Sequence, residues 1–145
     1  MTPGGDLPSA PGTGLGFRLL VVAVGGLQLG IGLWAFLSPR SFEDRVALFP
    51  PYNEHLIHDL GAFSAGLGVA VLVALLVSDG LLTALLGMAA ASVLHAVSHL
   101  LDRSLGGRPS DPLVIAGFAV FVLLLTAARA RAYARRAGLP PRRGP

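Results

Sequence analysis

The chain has no cysteine among its 145 residues, so disulfides, thiolate metal sites, cysteine nucleophiles and CxxC redox chemistry are excluded together. Any redox role would have to use a bound cofactor. Lysine is absent too, and all eleven basic residues are arginine. Charge as a whole is scarce. At 13% charged residues the chain carries about half of the roughly 25% with which a soluble domain covers its surface, while 53% of it is hydrophobic. With a mean hydropathy of +0.69, it is composed to meet lipid. Also missing are a Gly-rich phosphate loop, an HExxH motif and a supported Ser-His-Asp arrangement.

What basic charge there is has a place. A pI of about 10.6 would suit nucleic acid, but Arg129, Arg131, Arg135, Arg136, Arg142 and Arg143 all fall in the last 17 residues, directly after an apolar run. There they read as a topology signal, and no nucleic-acid partner is expected. Secondarily, such a run can attract anionic headgroups at about 1 kcal/mol per arginine.

Four apolar spans follow one another. Residues 1–16, rich in Gly, Pro, Ser and Thr and without apolar periodicity, are expected to form a disordered tail. From Phe17 to Leu37 the only charge is Arg18, and at about 1.5 Å per residue this length matches a hydrocarbon layer of about 30 Å. A signal peptide is the competing reading, but the apolar stretch is too long and no small-x-small site follows before Ser38 and Pro39. Asn53, after Pro50 and Pro51, is placed to cap a second span over 54–77. Ser78, Asp79 and Gly80 make a tight turn into a third span over 81–101. After a loop with Gly106, Gly107 and Pro109, Ser110 and Asp111 can cap a fourth span over 112–128, and residues 129–145 are left as a basic tail.

The expected fold is therefore all-α: an integral membrane four-helix up-and-down bundle in the lipid bilayer of the inner (plasma) membrane. The arginine-rich end keeps the carboxyl terminus cytoplasmic, and an even number of spans puts the amino terminus there too. The loops over 38–53 and 102–111 then face outward, each with two arginines balanced by two acids. Trp34, Phe36, Phe42, Phe49 and Tyr52 cluster at that level as an aromatic belt. The stretch from Ser41 to Phe49 alternates apolar and charged residues, which suits a short amphipathic helix lying as a lid over the outer end. Small residues recur at spacing four, as Gly26 and Gly30 or Ala62 and Gly66, and are expected to carry helix packing. Gln28, Ser64, Ser92 and Ser98 are expected to hydrogen-bond between helices.

All four histidines lie in two short segments, Asn53 to Asp59 and His95 to Asp102. A hairpin of the second and third spans would carry both segments to the same outer end. His95, His99 and Asp102 share one helix face, Glu54 and His58 share another, and His55 and Asp59 form a second stripe about 100° away. Glu54 and His58 are expected to point inward, toward the third span. Ionisable groups at membrane depth are costly and need a partner or an ion. The sharpest reading is a metal site of His58, His95 and His99 with Glu54 or Asp102, a donor set that suits zinc, iron, copper or nickel. Haem held between one histidine of each helix is a second cofactor reading. Two readings need no cofactor. In one, the polar groups are interhelical glue in a structural or interaction subunit, whose His55 and Asp59 stripe meets another membrane protein or a second copy of the chain. In the other, the pocket is a membrane enzyme acting by acid–base chemistry on a lipid-like or quinone-like substrate.

The run Pro51-Tyr52-Asn53-Glu54-His55-Leu56, with Asp59-Leu60-Gly61-Ala62 and the later His95 and His99, resembles a family of small bacterial four-helix membrane proteins that carry this motif. The likeness extends more distantly to the DoxX-like membrane proteins and covers about residues 17–128. It implies a four-helix count and a shared polar motif. DoxX-like members are associated with quinone or thiosulfate oxidation and with oxidative-stress complexes. A thiol-based form of that chemistry does not fit a chain without cysteine, and no catalytic residue carries over.

Overall fold

The protein, described over residues 12–77 and 80–138 by a computed structural model, is all-α. Five helices follow in order: α1 (Leu15–Leu37), α2 (Pro39–Arg45), α3 (Glu54–Ala74), α4 (Leu81–Leu101) and α5 (Asp111–Arg136). Four of them, all but α2, are long and apolar enough to cross a membrane. Their outward faces are apolar, with Phe63, Leu101 and Leu113 each more than three-quarters exposed. In water that surface would be prohibitive, whereas against acyl chains it costs nothing. Residues 1–11 of the tail expected over 1–16, the Ser78–Asp79 turn, Arg142 and Arg143 lie outside the described residues.

Lipid gives apolar side chains no reason to prefer each other, so helices associate where their backbones can approach. In α1 and α3 this happens at four glycines, two on each helix and seven residues apart. A Cβ on Gly61 would lie 2.6 Å from the Phe36 nitrogen and 2.8 Å from the Gly32 carbonyl oxygen. One on Gly68 would lie 2.5 Å from the Leu29 nitrogen and 2.7 Å from the Gly25 oxygen. Gly25 thus faces Gly68 and Gly32 faces Gly61, which makes the two helices antiparallel, and the Leu72 side chain closes the space over Gly25.

The spacing-four residues do not make this contact. Gly26, Gly30 and Gly66 have nothing within 4 Å of where a Cβ would stand, and they lie exposed, as does Ala62. Seven residues are nearly two full turns, so Gly25 and Gly32 return to one face; Gly26 is turned about 100° from it and looks outward. The packing face is thus marked by glycines at spacing seven, next to the predicted spacing-four residues but turned away from them.

The α4 and α5 helices pair through larger side chains. Leu85, Met88 and Ala89 meet Val122 and Leu125, and they join Val21, Val24, Val71, Ala74 and Leu81 in one core near the α3–α4 turn. Thr126 ties the pair, its hydroxyl placed 3.2 Å from the Leu85 carbonyl and 2.8 Å from that of Val122. Ser92 and Ser98 instead donate to carbonyls of their own helix, at Met88 and His95. At the opposite end a smaller cluster of Ala35, Phe42 and Ile57 joins α1, α2 and α3.

Four boundaries differ from expectation: α1 begins at Leu15, two residues inside the expected tail, and α5 begins one residue early at Asp111. The α3 helix ends at Ala74, three residues early. The α5 helix runs to Arg136, eight residues into the predicted tail, because alternating alanine and arginine are strong helix formers and basic groups suit a helix C-terminus. Gly138 follows it at φ +64°, the left-handed conformation that glycine supplies after a helix.

The glycine register yields a direct test. Gly61→Ala and Gly68→Ala should each destabilise the protein by about 1–3 kcal/mol, the usual cost of overpacking, while Gly66→Ala should stay within about 0.5 kcal/mol of wild type. Reversible unfolding in mixed micelles measures all three.

Candidate functional site

The polar groups gather at the end of the molecule where α2 lies. Pro39 starts this helix, its fixed φ suited to a first turn. The helix turns Phe42 and Glu43 inward, at 3% and 8% exposure, and leaves Arg40 and Asp44 outside, 3.2 Å apart as an exposed ion pair. Phe42 is held edge-on to Trp34, with ring centroids 5.6 Å apart, and the Trp34 indole N–H donates to the Ser41 hydroxyl at 3.3 Å. An amphipathic lid was expected over 41–49; the helix forms two residues earlier and stops at Arg45.

The lid is fastened from the far side of the chain. The Gly107 N–H donates to the Leu48 carbonyl at 2.9 Å, and the Arg108 guanidinium donates to the Arg45 carbonyl at 2.6 Å. Gly106 makes this approach with φ +154°, where a Cβ would stand 2.6 Å from the Leu48 oxygen. Asp111 serves the same loop by accepting from the Arg108 backbone N–H at 2.7 Å rather than capping α5.

Beneath and beside α2 are two cavities that share Glu43. One, of about 330 Å³, is bordered by Arg40, Asp44, Pro50 and Tyr52. The other, of about 290 Å³, is bordered by Ala47, Phe49, Ile57 and Leu60. Burial pushes the Glu43 carboxyl above the usual carboxylate range; the Arg40 charge pulls it down and Asp44 pushes it up again. Tyr52 is raised by burial and then by the negative charge of Glu54 close by. The Arg40 guanidinium sits 4.8 Å from the centre of the Tyr52 ring. Glu43 was not among the sequence candidates. The available signal was its position beside Phe42 and four residues before Ala47, which places it at the edge of the helix's apolar face.

The predicted histidine site divides into separate pairs. Asn53 caps α3 as expected, its side-chain oxygen accepting from the Leu56 N–H at 3.1 Å. Glu54 turns to Tyr52, and the His58 ring packs on Phe36 of α1 at 5.4 Å between centroids, so neither reaches toward α4. His55 and Asp59 share the second stripe and lie exposed, with the imidazole Nε2 and a carboxylate oxygen 3.5 Å apart. On α4, His95 and His99 approach with their Nε2 atoms 3.1 Å apart, and His99 stands edge-on to Phe49 at 5.4 Å. Asp102 ends α4, half-exposed. Among the described residues no three of His, Asp and Glu converge on one point, so Glu54, His58, His95, His99 and Asp102 do not form the single cluster expected. The reason is the glycine face of α3, which commits that helix to α1 and leaves α4 to pair with α5.

Glu43 also makes stability depend on pH. Its carboxyl holds a proton more tightly folded than unfolded, so its contribution is full below the ordinary value of 4.5 and is lost as pH rises through the raised folded value. Glu43→Gln should remove that loss: the variant should match wild type near pH 4 and unfold at a higher temperature than wild type near pH 7. A melting series across that range checks it. Comparison with known protein-family models, with curated proteins and with solved structures finds no match, so a function for this chain is argued from its own residues.

Proposed function

We propose that the protein is a multi-pass protein of the bacterial inner membrane that holds a transition-metal ion between His95 and His99, near its outer face. The observation that carries this reading is the 3.1 Å between the two Nε2 atoms. Two imidazole nitrogens, each about 2.0–2.1 Å from one ion and at angles between square and tetrahedral, lie about 2.8–3.4 Å apart. The pair sits at i and i+4 of one helix, so binding requires no rearrangement of the backbone. Imidazole suits zinc, copper, nickel or iron, and with two protein ligands the remaining positions are open to water or a small ligand. A bare ion fits this pairing better than haem, because His58 faces Phe36 and offers no opposed axial ligand.

The topology belonging to this reading is an up-and-down bundle with both termini cytoplasmic. Arg129, Arg131, Arg135 and Arg136 crowd the last two turns of α5, while the 38–53 and 102–111 segments carry balanced charge. A second reading, a subunit of a membrane complex, rests on His55 and Asp59. That pair is 86% and 53% exposed at the start of a membrane span, where a neighbouring protein would shield it from lipid.

A hydrogen bond from one ring N–H to the other ring's bare nitrogen also fits 3.1 Å, and metal analysis separates the two. Protein purified without chelator and equilibrated with zinc, copper or nickel should retain about one ion per chain. His95→Ala and His99→Ala should each weaken retention by at least about tenfold, the scale of losing a ligand, while His58→Ala should retain it. Equal retention in all four proteins would overturn the metal reading. Alkaline phosphatase fused at Ser104 should be active and at Asp79 inactive; the reverse pattern would overturn the topology.

A further inference from the structure

The geometry points to a second site, independent of the metal: the paired cavities under α2 bind a membrane amphiphile, an apolar chain with an uncharged carbonyl head, held at its head by Glu43. Three features converge on that class of ligand. First, Glu43 stands at the junction of two unlike spaces, one bordered by Arg40, Asp44 and Tyr52 and the other by Ala47, Phe49 and Ile57. A molecule spanning both must be polar at one end and apolar at the other. Second, the apolar cavity opens along Leu56 and Leu60, which are 61% and 42% exposed on the outward face of α3. That opening leads into the acyl region beside the helix. At about 290 Å³ the cavity is at the small end for a ligand pocket, so it holds the head and the first part of a chain whose remainder lies in the bilayer.

Third, the chemistry of the head follows from the side chain. Glu43 is more than nine-tenths buried, and burial keeps its carboxyl protonated further up the pH scale than that of a free glutamate. Among the described residues Glu43 is the one that borders both cavities, and in its protonated form its carboxyl can donate to an ester or ketone oxygen placed between them. Asp44, which borders the same space, disfavours an anionic head. Arg40 is engaged by Asp44 and the Tyr52 ring. The side chain that faces both cavities is therefore Glu43, and it sets the preference for an uncharged head.

Trp34 reports on this site. It is the sole tryptophan of the chain, and its ring rests on Phe42, the residue beside Glu43 in α2. Bromine quenches indole fluorescence only at close range, so the full chain in detergent micelles is titrated with two brominated probes: a monoacylglycerol and a diacylphosphatidylcholine. Quenching that saturates at a low mole fraction of either probe is expected. Saturation by the monoacylglycerol identifies a free single-chain ester as the occupant, and saturation by the phosphatidylcholine alone identifies the bilayer's own phospholipid ester. Glu43→Leu should raise the half-saturating fraction by about tenfold, about 1.4 kcal/mol for one hydrogen bond, and Glu43→Gln, which keeps a donor, should stay within about threefold. Ala47→Phe fills the apolar cavity and should abolish saturation, which keeps the test decisive if Glu43→Leu does not fold. Quenching linear in mole fraction for both probes, or saturation unchanged by Glu43→Leu and Ala47→Phe, would overturn the proposal.

Discussion

In a bilayer the hydrophobic effect does not bring helices together, because an acyl chain is as good a neighbour for leucine as another leucine is. Association has to be won by close atomic contact, and the closest contact a helix can make is backbone to backbone. Gly25, Gly32, Gly61 and Gly68 allow it for α1 and α3, with Cα–H groups of one helix against carbonyl oxygens of the other. The rest of the arrangement answers to that seam. It fixes which side of α3 is occupied, leaves α4 to find α5 through bulkier side chains and a shared threonine hydroxyl, and places α2 across the end of the α1–α3 pair.

The distribution of polar groups follows from the same choice. A helix has one face to give to its tightest partner, and α3 gives its glycine face to α1. Glu54 and His58 are therefore drawn toward Tyr52 and Phe36, while His95 and His99 are left to each other on a helix that meets α3 mainly near the turn between them. Two smaller polar centres result in place of one large one. The α4 centre is two imidazoles at chelating distance. The α2 centre is a buried carboxyl at the junction of two cavities.

Much of this fold was legible from residue order. Apolar length located four long helices, and Asn53 marked the start of α3 because its side chain can satisfy only an N–H that a helix leaves free. The stripes His95–His99 and His55–Asp59 followed from helical spacing alone. The glycine seam was misplaced because glycines occur in both registers of α1 and α3, and composition does not say which register faces a partner. Glu43 was hidden for a related reason: in a seven-residue helix, a single charge at the border of the apolar face goes in or out according to what covers it. Thr126 looked like one more residue of an apolar run, and its bond to Leu85 depends on a neighbour 41 positions away. The length of α5 was underrated because a block of arginines was read as the end of a helix, whereas the helix continues through it to Arg136.

The Arg108 guanidinium and the Arg45 carbonyl are 63 residues apart in the chain, yet the bond between them terminates α2. Chains emerge from the ribosome amino end first, so α1, α2 and α3 are made before the residue that completes α2 exists. The first hairpin can settle on its glycines early, but its cover is finished only when the last hairpin arrives and brings Gly107 and Arg108 with it. Assembly thus has an order built into it: the earliest part of the protein acquires its final shape from the latest.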